Sequence, residues 1–212
     1  MGVYIWQEYN RVPWANTIAY YPLTSTTTVN DESWNSLNMT NASMTFGING
    51  GVNCWNSRNG YIYRNDLIFS WTWNFTINLY AYREVSWITW ENLIFMGDSG
   101  GYNSLWMLVH NGKLGTAWWN NDHDSSYTVN LGEWHNFVLT RSGTTWTLYV
   151  DGTSVDTWTV WFNPTSWKTS IGTWQWFSGY RPWFISEVIL EDKARTEQEI
   201  ADYYNWTKWN YI

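Results

Sequence analysis

Apolar and polar positions alternate with period two along most of this chain. In NFTINLYAY (74–82), Phe75, Ile77 and Leu79 fall on one face and Thr76, Asn78 and Tyr80 on the other, the pattern of a half-buried strand. In SLWMLVHNGKLGT (104–116) the same alternation runs up to HNG, which reads as an Asn-Gly hairpin turn with a strand on either side. GEWHNFVLTRSGTTWTLYVDGTSVDT (132–157) predicts an antiparallel meander. Phe137 and Leu139 share a face before a turn at Ser142-Gly143. Trp146, Leu148 and Val150 alternate on the return strand, and Asp151-Gly152 turns the chain again. WFISEVILED (183–192) is apolar on both faces, as an interior strand requires.

Helical periodicity is confined to the end. In ARTEQEIADYYNWTK (194–208), Thr196 and Glu199 have the spacing of a capping box, and Ile200 with Tyr203 or Tyr204 forms a short apolar stripe. Regularly spaced strands closed by one short helix predict an all-β fold, a two-sheet antiparallel β-sandwich of the jelly-roll kind. The 212 residues fit one domain and contain no repeat of solenoid length or dividing charge block. Residues 1–15 read as a lead-in segment.

Composition narrows the partners. The chain is 44% hydrophobic, without an apolar run near eighteen residues, so membrane insertion is not expected. A net charge of -7 argues against a nucleic-acid backbone as ligand. The single cysteine, Cys54, excludes an internal disulfide and a cysteine-based zinc site. The first residues show no basic region followed by an apolar stretch, so no signal peptide is visible.

The stretch NTIAYYPLTSTTTVNDESWNS (16–36) resembles the first strand and following turn of the concanavalin A-like lectin/glucanase superfamily, specifically its laminin-G-like (LamG) jelly-roll domains from bacterial and phage surface proteins. GEWHNFVLTRSGTTWTLYVDG resembles that group's central meander, and FISEVILEDKARTEQEIADYYN its closing strand and helix. The resemblance implies a laminin-G-like domain over 16–212. It implies a non-catalytic module for a carbohydrate or other cell-surface ligand, partnered by a glycan or a cell-surface protein. The implied setting is extracellular or on a cell or virion surface, within a larger protein. A structural or assembly module without a small ligand is a second reading, and a degenerate glucanase a third, because one fold hosts many functions.

A site in this superfamily is implied on the loops at one end or on the concave sheet. Tyr102, Trp118, Trp119, Asn120 and Asp122 are the ligand-binding candidates, aromatics to stack on sugar rings and amide or carboxylate groups to bond hydroxyls. The superfamily often binds Ca²⁺, which takes hard oxygen ligands. Asp98 in GDSGGYN, with Asp122 and Asp124 in the polar segment NNDHDSS, are the candidate metal ligands, against the plainer reading of turn residues. No catalytic residue is assigned. Glu187 and Glu191 in EVILE would share a strand face, but Ile189 stands where the glucanase strand carries its central aspartate. His110, His123 and His135 show no metal spacing.

The 21 tryptophans remain. Trp34, Trp55, Trp118, Trp119, Trp174, Trp176, Trp206 and Trp209 stand among Asn, Asp, Ser, Thr and Gly, where turns needing φ > 0 or close backbone approach would take glycine. One reading is that many are UGA codons, decoded as glycine in some bacterial lineages and rendered as tryptophan by conventional translation. The other is that they are genuine and form an aromatic platform. Trp134 and Trp146 suit tryptophan under both.

Overall fold

A computed structural model describes residues 15–23, 28–42, 44–46, 51–53, 61–66, 74–84, 89–97, 104–118, 121–161, 168–172 and 183–211. These residues form two antiparallel sheets. The first has the order β14 (Thr153–Thr159), β13 (Thr145–Val150), β12 (Trp134–Ser142), β7 (Asn74–Arg83), β16 (Trp183–Glu191), β5 (Val52–Asn53) and β4 (Thr45–Phe46), with β1 (Thr17–Tyr21) also paired to β16. The second has the order β11 (Asn121–Thr128), β10 (Lys113–Trp118), β9 (Leu105–His110), β8 (Trp90–Met96), β15 (Thr169–Ile171), β6 (Tyr61–Arg64), β3 (Met39–Ala42) and β2 (Thr28–Val29).

The expected sandwich is therefore present, and its core is built by the alternation read from the sequence. Phe75, Ile77 and Leu79 on β7, with Phe137 and Leu139 on β12, face Ile94, Met96, Met107 and Leu114 of the second sheet. Trp146 sits edge-on to Phe75, ring centroids 5.4 Å apart. Asn111-Gly112 and Asp151-Gly152 are the two hairpin turns expected, with φ of 49° and 82° at the first and 52° and 81° at the second. The turn between β12 and β13 falls on Gly143-Thr144, one residue later than the sequence suggested.

The C-terminal helix α1 (Glu197–Thr207) begins with the capping box: Thr196 accepts from the amide of Glu199, whose carboxylate accepts from the amide of Thr196. It covers the outer face of the first sheet. Tyr203 packs with Tyr20, Tyr80 and Ile189, while Ile200 packs on Val138 and Tyr149. A bulge between Ser186 and Val188 lets Glu187 as well as Ile189 point outward beneath the helix. The buried Glu187 carboxylate accepts from the Tyr203 hydroxyl at 2.5 Å and the Tyr211 hydroxyl at 3.0 Å. Glu191 is held by Arg195 at 2.5 and 3.1 Å. These two carboxylates thus anchor the helix.

Two polar ties join the sheets. Arg83 of β7 pairs with Glu91 of β8, both buried, at 2.8 and 2.6 Å, and Arg83 also donates to the Val129 carbonyl. His123 of β11 hydrogen-bonds Asp156 of β14 at 2.9 Å and stacks on Trp158, ring centroids 4.2 Å apart. Among the described residues no helix is long and apolar enough to cross a membrane.

Candidate functional site

Because α1 occupies the outer face of the first sheet, the outer face of the second sheet is the place to look for a ligand. Strand register assigns its rows. Asp124, Gly115, Leu108 and Asn92 lie side by side across β11, β10, β9 and β8. The next row runs Asp122, Ala117, Trp106 and Phe95, then Ser170 on β15 and Tyr63 on β6. Their neighbours in sequence, such as Met107, Ile94, Leu114 and Ile171, point into the core.

The two rows share a plan. Each has a carboxylate on β11, a residue with little or no side chain on β10 and a large apolar residue on β9. A buried polar group lies further across: Asn92 on β8 in one row and Ser170 on β15 in the other. Gly115 is required: a Cβ there would lie 2.5 Å from the His123 carbonyl oxygen, so only glycine lets β10 and β11 approach this closely. The Asp124 carboxylate lies against Gly115, 3.0 Å from where a Cβ would stand. Asn92 and Ser170 are both 4% exposed, and neither Asn92 Oδ1 nor Ser170 Oγ has a hydrogen-bond partner.

The acidic end has its own order. His110 Nδ1 lies 2.8 Å from Asp124 Oδ2, and Asn111 Nδ2 lies 3.0 Å from His110 Nε2. Asn111 donates, so Nε2 accepts and Nδ1 carries the proton toward Asp124. Trp90 stacks on the His110 ring at 3.9 Å. Asp122 has no such partner among the described residues and is exposed. Partial burial pushes its carboxyl above the ordinary carboxylate range, His110 opposes that, and the charge of Asp124 adds to it.

Of the sequence candidates, Asp122 and Asp124 come together on one face, two residues apart. Trp118 ends β10. Tyr102, Trp119, Asn120 and Asp98 lie outside the described residues. The segment 121–126 is a strand, not the polar loop expected, because it pairs with β10 from Asn121 onward. His123 is accordingly a strand residue facing Trp158. Among the described residues no three acidic or imidazole groups converge as metal ligands. Asp122 and Asp124, the latter already engaged by His110, supply far fewer than the six to eight oxygens Ca²⁺ takes. Asn92, Gly115 and Ser170 were not picked out from the sequence. Asn92 follows Glu91 as the second polar residue of an otherwise apolar strand, which is the only trace it leaves there.

The requirement for glycine at tryptophan positions is also corrected where it can be examined. No described tryptophan has φ > 0; in the DESWNS turn the left-handed residue is Ser36, at 53°, not Trp34. Trp206 lies within α1, where glycine would be unfavourable. Trp55, Trp174 and Trp176 lie outside the described residues.

A concavity of about 340 Å³ lies where β16 meets α1. Its charges are engaged: Glu191 with Arg195, Lys193 with Glu199, and Asp202 with Gln198.

Comparison with known proteins agrees with the architecture. Trypanosoma rangeli sialidase superposes with a TM-score of 0.75 at 14% identity, over 94% of this chain and 34% of that one. The chain thus spans about a third of the sialidase. Domain 4 of a GH43 extracellular arabinanase from Geobacillus stearothermophilus, solved with arabinotriose, superposes with a TM-score of 0.70 at 14% identity, over 88% of this chain and 97% of that one. The binding domain of Paraclostridial Mosquitocidal Protein 1 gives 0.71 at 15%, over 90% and 52%. No curated protein matches the sequence. The family model Laminin_G_3, of the concanavalin A-like lectin/glucanases superfamily, matches residues 56–201, well over half of the chain. With two antiparallel sheets and a closing helix in place, the chain belongs to the concanavalin A-like lectin/glucanase superfamily.

Proposed function

We propose that the chain is a non-catalytic carbohydrate-binding module and that its ligand lies across the outer face of the second sheet, along the Asp122 and Asp124 rows. The observation that carries this reading is the family's sandwich fold, with Asp122 and Asp124 exposed side by side on the outer face of the sheet that no helix covers among the described residues. Sugars supply hydroxyls for such carboxylates. The arabinotriose complex of the arabinanase domain and the toxin's binding domain support the reading by analogy of fold. A place within a larger surface-exposed protein of a bacterium or phage suits a module spanning a third of the sialidase it resembles.

Asp122→Ala with Asp124→Ala tests this with two readouts, the melting temperature and glycan binding on an array of neutral and charged oligosaccharides. Weaker binding with the melting temperature held supports the reading, and unchanged binding overturns it for this face. Binding of no oligosaccharide by the unaltered chain favours a purely structural module.

A further inference from the structure

The concavity between β16 and α1 has one wall made by a single face of the helix. Glu199, Asp202, Tyr203 and Trp206 recur at three- and four-residue spacing, and all four line it. Glu191, Arg195 and Tyr203 are its buried members, whereas Asn16, Asp202 and Trp206 are exposed on its rim. The indole is held in place from within. The Arg195 guanidinium lies over the Tyr203 ring at 4.9 Å, and the Tyr203 ring in turn meets Trp206 edge-on, centroids 6.4 Å apart. Trp206 is still 52% exposed, so a broad apolar surface stands at the mouth of a polar hollow. The charges of the lining are matched within it. Arg195 holds Glu191 and Lys193 holds Glu199, so both cations are committed to carboxylates of the same hollow. Asp202 accepts from the Gln198 amide through Oδ1 only, and a carboxylate has roughly four lone-pair sites, so it retains capacity for further donors.

We propose that this concavity is a second glycan site, separate from the sheet face, that takes a neutral sugar with Trp206 as its platform. The C–H face of a ring lies on the exposed indole, Asp202 accepts from the ring hydroxyls, and the Asn16 amide both donates and accepts on the same rim. A volume of about 340 Å³ is at the small end for a ligand pocket, which matches one or two rings rather than a long chain. A uronic acid would bring its carboxylate toward Asp202 while Lys193 and Arg195 are already engaged, so neutral sugars are preferred. This site lies beside the helix that covers the first sheet, and Asp122 and Asp124 lie on the outer face of the second. The two are on opposite sides of the sandwich, so one module can engage two glycan chains at once. The inference goes beyond the sheet-face reading and stands without it.

The test probes an array of neutral and uronic oligosaccharides with the full chain, and measures the affinities of the bound ones by calorimetry. Three variants are compared: Trp206→Ala, Asp202→Asn, and Asp122→Ala with Asp124→Ala. Alanine is favoured in a helix, so Trp206→Ala should keep its melting temperature, and Asp202→Asn keeps size and shape if it does not. At least one neutral oligosaccharide is expected to lose about fivefold in affinity in Trp206→Ala, the size of one aromatic contact, and to weaken in Asp202→Asn. The Asp122 and Asp124 double variant should leave that affinity unchanged. Binding of every glycan unaltered by Trp206→Ala and Asp202→Asn overturns the second site. Losses confined to the double variant overturn it too, and leave the sheet-face reading standing. Losses confined to the two helix variants support the second site and overturn the sheet face. An empty array with the unaltered chain overturns both.

Discussion

Arg83 and Glu91 form a two-pronged ion pair between the sheets, each almost wholly buried, with the third guanidinium nitrogen on the Val129 carbonyl. Desolvating two charges costs several kcal/mol, and geometry this complete is what offsets it. Removing one partner alone strands the other. Arg83→Met should therefore destabilise the fold by about 3–5 kcal/mol, while Arg83→Met with Glu91→Leu recovers much of that loss. Denaturant unfolding of the two singles and the double measures the coupling.

The phenols of Tyr203, Tyr211 and Tyr80 are pushed far above the usual tyrosine range, chiefly by burial and then by Glu187 or, for Tyr80, against the pull of its Thr207 hydrogen bond. A folded-state pKa raised above the unfolded value of 10.0 gives stability that is present below pH 10 and lost as pH rises past it. Ultraviolet titration should show these phenols ionising only together with loss of structure. Tyr203→Phe removes one of the two phenol donors to the buried Glu187 and should cost about 1.5–3 kcal/mol.

At the start of α1 the shift runs the other way. Hydrogen bonds from Lys193 and from the Thr196 backbone hold the Glu199 carboxyl down to about 2. That contribution is present above the ordinary value of 4.5 and fades as pH falls toward 2. Glu199→Gln should flatten this acid limb of stability. Thr196→Ala, which removes the cap, should cost about 1 kcal/mol at neutral pH.

The tryptophans divide by burial. Trp146 and Trp183 are fully buried, whereas Trp34, Trp161 and Trp209 are 84%, 83% and 71% exposed. Trp146→Ala should cost about 3–5 kcal/mol, and Trp34→Gly or Trp209→Gly no more than about 1 kcal/mol. If the tryptophans in turn-like sequence contexts arise from UGA codons read as glycine, peptide mass spectrometry of the protein from its native source should find glycine at 34, 174 and 176 and tryptophan at 146. Tryptophan at 34, 174 and 176 would end that idea.

The sheets were legible because burial on one side imposes period two, and the hairpins because Asn-Gly and Asp-Gly admit the left-handed pair a tight turn needs. The capping box was legible because its partners are three residues apart. The site was not. Asn92, Gly115 and Ser170 are far apart in sequence and share one sheet face only through register between strands, which no local pattern encodes. The segment 121–126 misled for a related reason: Asn, Asp and Ser are turn-formers, yet here pairing with β10 holds them extended. Asp122 and Asp124 were singled out for their chemistry, as metal or sugar ligands in a loop. They share a face because they lie two residues apart on a strand.

The bond from His123 to Asp156 fastens β11, the margin of one sheet, to β14, the margin of the other. A strand margin is where a sheet could recruit another chain by extending its ladder. On this side the margins are turned toward each other. On the opposite side β2 and β4 are two residues long, and β1 has the amide of Tyr20 bonded to Asp31 and its carbonyl to the Glu32 amide. The described margins thus offer a neighbouring chain little free backbone to continue.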